Sequence, residues 1–472
     1  MRIEQIYTGC LAQGAYYIES NGEAVIIDPL REVQPYINKA ERDNAKIKFV
    51  LETHFHADFV SGHLDLANKT GAAIVFGPTA KPAFVAHIAK DGEILHVGAV
   101  TIKVIHTPGH TMESTCFLLM DENGKETGLF TGDTLFIGDV GRPDLAQKVT
   151  ADLTKEKLAG HLYDSLHNKI MPLANDIIVY PAHGAGSACG KNMSKETTDT
   201  LGNQKQSNYA LQPMSKEEFI GKVLNGLLPP PGYFPANVMM NIQGYENIDR
   251  VLQKGTQALS AEEFESAANE TDALLLDTRD AQVFAKGFIP NSINIGINGN
   301  FAPWAGALIP DIQQPVLLIA EEGRETEIVT RLARVGYDNT IGYLKGGFDA
   351  WEKAGKETDC ISSVSVDELA ARLEKDPDLN ILDVRKKNEH FSEHVIGAEN
   401  IALDYINEGY TEVDKNKTYY VHCAGGYRSM IFTSILRARG YNNLTDVQGG
   451  FKAIKDSGKF KVSEYVCPST MP

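Results

Sequence analysis

Hydrophobic and polar positions alternate along "YYIESNGEAVIIDP" (16–29), while "IKFVLETH" (47–54) is an apolar run that ends on polar residues. Alternation at period two, and short apolar runs closed by polar residues, predict β-strands. Segment 61–70 spaces its apolar residues as an amphipathic helix does. The first half is therefore predicted to be mixed α/β. The stretch "NGLLPPPGYFPANVMMN" (225–241) carries four prolines and no regular period, which marks a linker or domain boundary.

Past that stretch the chain repeats itself. "ALLLDTRDAQVFAKGFIPNSINI" (273–295) matches "NILDVRKKNEHFSEHVIGAENI" (380–401), and "VGYDNTIGYLKGGFDAW" (335–351) matches "RGYNNLTDVQGGFKAI" (439–454). One module of about 105 residues is thus present twice. The expected domains are 1–240, 255–356 and 362–472, the first including the linker. The β/α alternation with short loops predicts a small parallel sheet covered by helices in each copy.

Composition narrows the class. A length of 472 residues suits about three domains. Apolar content of 43% and charged content of 23% are ordinary for a globular chain. A net charge of −17 argues against nucleic acid and anionic membrane as partners. No apolar run is long enough to span a bilayer. The opening "MRIEQIYTGCLAQGAYYIES" lacks the basic and apolar regions of a secretory signal. Six cysteines are scattered without a CxxC pair, which predicts reduced thiols and a cytoplasmic protein.

Four segments supply candidate metal ligands: His54, His56 and Asp58 in "ETHFHADF", His110 in "HTPGHT", Asp133 in "FTGDTLF" and His183 in "YPAHG". Each follows a β-like run, so all can converge on one edge of a sheet. Isolated histidines such as His87, His96, His161 and His167 read as structural or surface residues.

Together these segments resemble the metallo-β-lactamase superfamily, which implies a four-layer αββα sandwich over residues 1 to about 240. In that family a second metal uses a histidine directly after the motif aspartate. Here Phe59 stands in its place, with no donor atom and a ring that excludes water. Two imidazoles and one carboxylate with open positions describe the facial triad of non-haem Fe(II) oxygenases, and His54, His110 and Asp133 can supply it. The domain resembles the persulfide dioxygenase branch. That resemblance implies one Fe(II) per chain, with His56, Asp58 and His183 orienting the ligands by hydrogen bonds. A zinc-dependent thioester hydrolase of the glyoxalase II kind is the alternative reading.

"GRPD" (141–144) resembles the segment near the thiol-substrate pocket in that branch. Arg142, with Asp144 beside it, then pairs bidentately with a substrate carboxylate, or else the two form an Arg–Asp pair that fixes a turn. Cys189, six residues past His183, is either a thiol or persulfide relay to the iron or a small buried residue.

The second repeat copy contains "YYVHCAGGYRSMIFTSILRARG" (419–440), where a β-run ends at Cys423 and a Gly-rich turn opens a helix. Backbone N–H groups and a helix N-terminus aimed at the sulfur favour a thiolate. Arg428 adds a fixed charge for an anionic substrate. The C-x4-R loop is one residue shorter than the phosphatase C-x5-R, and with "ILDVR" upstream it resembles a rhodanese, whose loop holds a cysteine persulfide. The first copy, "VLLIAEEGRETEIVTRLARVGY" (316–337), aligns without a gap to 420–441. That alignment pairs Arg324 with Arg428, Ile319 with Cys423, and Glu321 and Glu322 with the two glycines. Without a nucleophile it reads as an inactive spacer.

The combined resemblance is to a persulfide dioxygenase–rhodanese fusion. It implies oxidation of glutathione persulfide, or another low-molecular-weight thiol persulfide, by O2 to sulfite and thiol. Cys423 then exchanges sulfane sulfur among persulfide, sulfite and thiosulfate. A non-catalytic sulfide sensor is a further reading, opposed by the intact ligand set and Cys423. Relatives often dimerise, so a homo-oligomer is expected.

Overall fold

Twelve short strands of the first half form two six-stranded sheets in the computed structural model, which describes residues 1–145 and 153–467. The expected domain end at 472 lies outside the described residues. The chain divides into one unit of Met1–Arg250 with Leu332–Tyr337, and a second of Val251–Arg331 with the chain from Asp338 onward. Among the described residues no helix is long and apolar enough to cross a membrane.

The first sheet runs in order through β1 (Arg2–Thr8), β2 (Gln13–Ser20), β3 (Glu23–Ile27), β4 (Lys46–Glu52), β5 (Ala73–Phe76) and β6 (His87–Ile88). The second comprises β7 (Ile94–Val97), β8 (Val100–His106), β9 (Thr115–Met120), β10 (Glu126–Gly132), β11 (Ile178–Pro181) and β12 (Asp199–Thr200), ordered β12-β11-β10-β9-β8-β7. Tyr16, Ile18, Val25, Ile27 and Leu51 pack against Ile102, Val104, Phe117, Leu119 and Phe130 between the sheets. The intervening residues Tyr17, Ala24, Ile26 and Val50 turn the other way, under α1 (Gln34–Arg42) and α2 (His63–Thr70). Leu118 and Leu129 of the second sheet meet Leu162 of α3 (Lys155–Ser165) and Phe219 of α4 (Lys216–Leu224). Both faces of each sheet are covered, giving the expected αββα sandwich. Double coverage also explains why alternation gives way to continuous apolar runs in β4 and β9.

The proline-rich stretch is not all linker. Pro235 sits in the first turn of α5 (Phe234–Gln243), where its missing N–H costs nothing. Asn241 near the end of α5 donates to the carbonyls of His56 and Phe59, each at 2.8 Å, and accepts from Ser61 N–H. The segment thereby braces the ligand loop.

The second unit holds two five-stranded parallel sheets of one topology. The first contains β13 (Ala258–Leu259), β14 (Leu274–Asp277), β15 (Ile293–Asn294), β16 (Val316–Ile319) and β17 (Thr340–Leu344), ordered β13-β17-β16-β14-β15. The second contains β18 (Ser363–Val364), β19 (Asn380–Asp383), β20 (Glu399–Asn400), β21 (Tyr419–His422) and β22 (Leu444–Val447), in the equivalent order β18-β22-β21-β19-β20. The duplication extends to detail. A buried Arg279–Asp277 pair in one copy and Arg385–Asp383 in the other both close at 2.6 Å. Gly346–Gly347 and Gly449–Gly450 repeat the same left-handed pair of φ values, 76° and 59° against 75° and 59°.

Sheet register corrects the gapless alignment of the copies. Asp277 pairs with Ile319, whereas Asp383 pairs with His422, so Ile319 corresponds to His422 and Ala320 to Cys423. The glycine contacts agree: a Cβ at Gly347 would lie 2.9 Å from Ala320 O, and one at Gly450 lies 2.5 Å from Cys423 O. Glu321 and Glu322 therefore stand opposite Ala424 and Gly425, and Arg324 opposite Tyr427. The first copy still lacks a nucleophile.

Candidate functional site

β8, β10 and β11 point the same way, and their C-terminal ends together with that of β4 carry the ligand loops. Gly132 closes β10 with φ +51°, and a Cβ there would meet Thr53 Cβ at 2.6 Å. Only glycine lets the strand carrying Asp133 approach the loop carrying His54 so closely.

His54, His110 and Asp133 bring one donor atom each to within 4.8 Å of one another. His54 Nε2 lies 3.9 Å and His110 Nε2 3.5 Å from Asp133 Oδ2. Their outer nitrogens are engaged. His110 Nδ1 donates to Arg142 O at 2.8 Å. Thr53 Oγ1 donates to Asp28 Oδ2 at 2.8 Å, which leaves it to accept from His54 Nδ1 at 3.0 Å. Both imidazoles thus turn bare Nε2 atoms inward, the tautomer a metal requires. Burial, reinforced by His56, His110 and His183, pushes His54 far towards its neutral form. His54 Nε2 and both Asp133 oxygens are buried without a hydrogen-bond partner among the described residues. Such orphaned atoms are expensive unless a cation satisfies them, so these residues fit a metal ion.

Asp58, His183 and Cys189 form a second group beside the first. His183 Nε2 lies 3.4 Å from Asp58 Oδ2 and 3.4 Å from Asp133 Oδ1, while its Nδ1 donates to Ala12 O. Asp133 therefore faces one group with each oxygen. Burial raises the Asp58 carboxyl, and burial followed by Asp58 and Asp133 raises the Cys189 thiol well above its usual range.

His56 follows a different course. Its Nε2 lies 3.2 Å from Asp28 Oδ1 and 3.4 Å from Glu52 Oε2, and its ring stacks on Phe59 at 4.2 Å. Burial opposes its protonation, yet Asp28 and Glu52 hold it well above its ordinary value. Burial in turn pushes Glu52 up to about 7. Arg142 spends its guanidinium within the protein, bidentate to Asp144 at 2.7 and 2.6 Å, with further bonds to Leu228 O and Ala188 O.

The second candidate site lies at the end of β21. Cys423 Sγ accepts from Gly426 N–H at 3.1 Å, and Gly426, with φ +101°, caps α8 (Tyr427–Ala438). Arg428 forks onto Glu389 at 2.6 and 2.8 Å. Tyr427 leaves the loop altogether: its hydroxyl donates to Gly296 O of the first copy at 2.8 Å. Gln282, from α6 (Ala281–Lys286) of that copy, donates to Asp446 Oδ2 at 2.8 Å, and Asp446 Oδ1 accepts from Ser429 of α8. Sequence reasoning missed these inter-copy residues, as it missed Asp28, Glu52 and Thr53 behind the ligands. Asp28 had a usable signal, since it closes the run "AVIID" just as the ligands close theirs.

Comparison with known proteins agrees with this anatomy. The metallo-beta-lactamase superfamily model matches residues 8–183, and the rhodanese-like domain model matches 260–354 and 365–457. The mitochondrial persulfide dioxygenase ETHE1 of Homo sapiens is 30% identical over 227 residues, 47% of this chain and 80% of that protein. A probable hydroxyacylglutathione hydrolase of Schizosaccharomyces pombe is 32% identical over 168 residues, 35% of this chain. The hydroxyacylglutathione hydrolase of Francisella tularensis subsp. novicida is 34% identical over 169 residues, 36% of this chain. The chain spans 60% and 61% of the lengths of these two hydrolases. A metallo-beta-lactamase structure from Staphylococcus aureus superposes with a TM-score of 0.64 at 33% identity, covering 73% of this chain and 98% of the other.

Proposed function

The chain belongs to the metallo-β-lactamase superfamily, in which it joins a persulfide-dioxygenase-like domain to two rhodanese-like domains, and from that premise we propose that it oxidises a low-molecular-weight thiol persulfide and relays the sulfur through Cys423. The observation that carries the reading is the triad of His54, His110 and Asp133, with inward donor atoms, those of His54 and Asp133 unpartnered among the described residues, and Phe59 buried where a further imidazole would stand. Two imidazoles and a carboxylate suit one Fe(II) per chain.

The overall step balances as RSSH + O2 + H2O giving RSH, sulfite and two protons, and glutathione persulfide is the leading substrate. His54, His110 and Asp133 would hold the iron, which would supply the redox chemistry for O2 when bound. The protein does the rest. Thr53 and the Arg142 carbonyl fix the two imidazoles. Phe59 and the packed His56 ring keep water from that side. Arg142, its guanidinium committed to Asp144, fixes the turn that carries its carbonyl to His110 and its N–H to Cys189 O.

At the second site the Cys423 thiolate attacks a sulfane sulfur. With thiosulfate, a bond forms between Cys423 Sγ and the outer sulfur while the bond to the sulfonate breaks, releasing sulfite. With a thiol persulfide, the same attack releases the thiol. Reversal with sulfite as acceptor yields thiosulfate. The Gly426 N–H and the start of α8 stabilise the anionic sulfur. Sharing one chain raises the effective concentration of each intermediate.

The hydrolase relatives favour a second reading, a zinc thioester hydrolase with a sulfurtransferase tail, and one experiment separates the two. Protein purified without oxygen is assayed for metals and for O2 uptake on glutathione persulfide. One iron per chain with O2 consumed and sulfite formed supports the dioxygenase. Two zinc ions, and no uptake after iron reconstitution, would replace it with the hydrolase.

A further inference from the structure

The loop that carries His54, His56 and Asp58 is held in place from outside. The carbonyls of His56 and Phe59 accept from Asn241, Ser61 N–H donates to the Asn241 side chain, and Gly62 N–H donates to Pro29 O. Val60, with 0% exposure, sends its N–H to Arg334 O at 2.7 Å. A buried amide needs an acceptor, and this one comes from a distant part of the sequence. Arg334 closes α7 (Glu325–Arg334), and the segment Leu332–Tyr337 belongs to the first unit. The way α7 stops makes that carbonyl available. Gly336, with φ +87°, lets Tyr337 N–H return to Leu332 O and Gly336 N–H to Ala333 O, each at 3.1 Å. This left-handed stop satisfies two of the carbonyls that a helix end leaves open and turns that of Arg334 to Val60.

The Arg334 side chain clamps two neighbouring loops. Its Nε donates to Glu32 Oε2 at 3.0 Å, its Nη2 donates to Glu32 Oε1, and its Nη1 donates to Cys10 Sγ at 3.6 Å. Glu32 follows Asp28, which holds Thr53 behind His54, and Pro29 and Leu30, which pair with Gly62 and Ser61. Cys10 precedes Ala12, whose carbonyl accepts from His183 Nδ1. One residue thus ties the loop behind His54 and the loop behind His183 to the ligand loop itself. A helix stop alone does not ask for a guanidinium here. The second copy ends α8 with the same pair of bonds, Tyr441 N–H to Leu436 O and Gly440 N–H to Arg437 O, and has Ala438 where Arg334 stands.

We propose that Arg334 is a positioning residue of the His54–His110–Asp133 site, setting the backbone from which the ligands project; the inference rests on the reading of that triad as a metal site. Arg334 touches neither a ligand side chain nor a reacting atom. It acts through Val60, Glu32 and Cys10, each of which lies in a loop whose other residues hold a ligand. With the guanidinium removed, the three loops lose their common tie, and the carbonyl that receives Val60 N–H loses its anchor. The ligand set stays complete but is less preorganised, so a metal ion binds more weakly and in less uniform geometry.

The test uses the full chain, freed of metal and titrated with Co2+, whose visible absorption reports ligand number and geometry. Hydrogen exchange of the Val60 amide and thiosulfate-to-cyanide transfer through Cys423 are measured on the same samples. Arg334→Ala should weaken cobalt affinity by about tenfold, broaden the cobalt bands and speed Val60 exchange by about two- to tenfold. Transfer through Cys423 should be unchanged, which reports an intact second unit. Arg334→Lys keeps the charge without the fork and should fall between wild type and Arg334→Ala in both cobalt affinity and exchange. Glu32→Gln should weaken cobalt binding in the same direction, and the double variant should lose less than the sum of the two. The proposal is overturned if Arg334→Ala lowers the melting temperature but leaves cobalt affinity, bands and Val60 exchange as in the wild type. It is overturned equally if those readouts change only in step with a loss of transfer through Cys423. A wild-type chain that takes up no cobalt counts against the triad as a metal site instead, and Val60 exchange in that chain still decides the tie.

Discussion

Tyr427 lies one residue from the amide that holds the Cys423 sulfur, yet its side chain is anchored in the first copy, which lacks the cysteine. A Cβ at Gly299 would sit 2.4 Å from Tyr427 Cζ and 2.5 Å from Cε2. Gly299→Ala therefore forces the ring away and breaks its 2.8 Å bond to Gly296 O. Overpacking of this kind costs about 1–3 kcal/mol, and the lost hydrogen bond about 0.5–1.5 kcal/mol. Because Gly426 precedes Tyr427, part of that strain passes into the loop. If about 1.5–3 kcal/mol is expressed there, kcat for thiosulfate-to-cyanide sulfur transfer falls roughly ten- to a hundredfold, at 1.4 kcal/mol per factor of ten. Tyr427→Phe, which removes the hydroxyl alone, should cost roughly two- to tenfold by the same conversion. The assay follows thiocyanate formation and separates kcat from KM. A double-mutant cycle makes it decisive: with Tyr427→Ala the ring is gone, and Gly299→Ala should add almost nothing. Equal losses from Gly299→Ala in both backgrounds would refute the argument, as would a lowered melting temperature with kcat unchanged.

Three further outcomes are expected. Cys423→Ser should reduce sulfur transfer to background while leaving O2 uptake on glutathione persulfide unchanged, so that sulfite accumulates in place of thiosulfate; sulfite and thiosulfate are quantified together by chromatography. Phe59→His returns an imidazole beside Asp58, so metal content should rise towards two ions per chain with a larger zinc share, read by elemental analysis, and O2 uptake should fall. Burial opposes ionisation of Glu389, but Arg428 holds its carboxyl below the ordinary range. The pair's stabilisation is therefore complete above the unfolded value of about 4.3 and lost as pH falls through the lower folded value. Melting curves of the wild type and Glu389→Gln should accordingly differ at neutral pH and converge only well below about pH 4; convergence on the alkaline side would contradict the assignment.

Much of this was legible because it is local. A strand's period and the polar residue that ends it are written in a few consecutive positions, which is how His54, His110, Asp133 and His183 could be placed at strand ends before their convergence was known. Cys423 was legible for the same reason, with strand, loop and helix contiguous. What escaped depends on distant apposition. Asp28 and Glu52 turn the His56 Nε2 towards themselves, and no local pattern distinguishes that from ligation. The register of the copies escaped for a subtler reason. The gapless alignment is anchored on "RLARVGY" and "ILRARGY", which close the helices, but α7 (Glu325–Arg334) has 10 residues and α8 has 12. The strands are anchored instead by Asp277 and Asp383, and a one-residue difference between the strand and helix anchors leaves no trace in composition.

In the corrected register the first copy keeps the framework of the second while lacking its nucleophile. Its framework residues, the Asp277–Arg279 pair and the Gly346–Gly347 turn, are those of the second copy. The nucleophile position holds Ala320, and the acidic pair Glu321–Glu322 follows it, so that loop is free of catalytic demand. The Gly296–Gly299 turn is not free, because it receives Tyr427 from the working loop. Loss of the nucleophile in the first copy and retention of its fold are thus separable. The residues to test for its role lie on that turn and at Gln282, rather than in its vestigial loop.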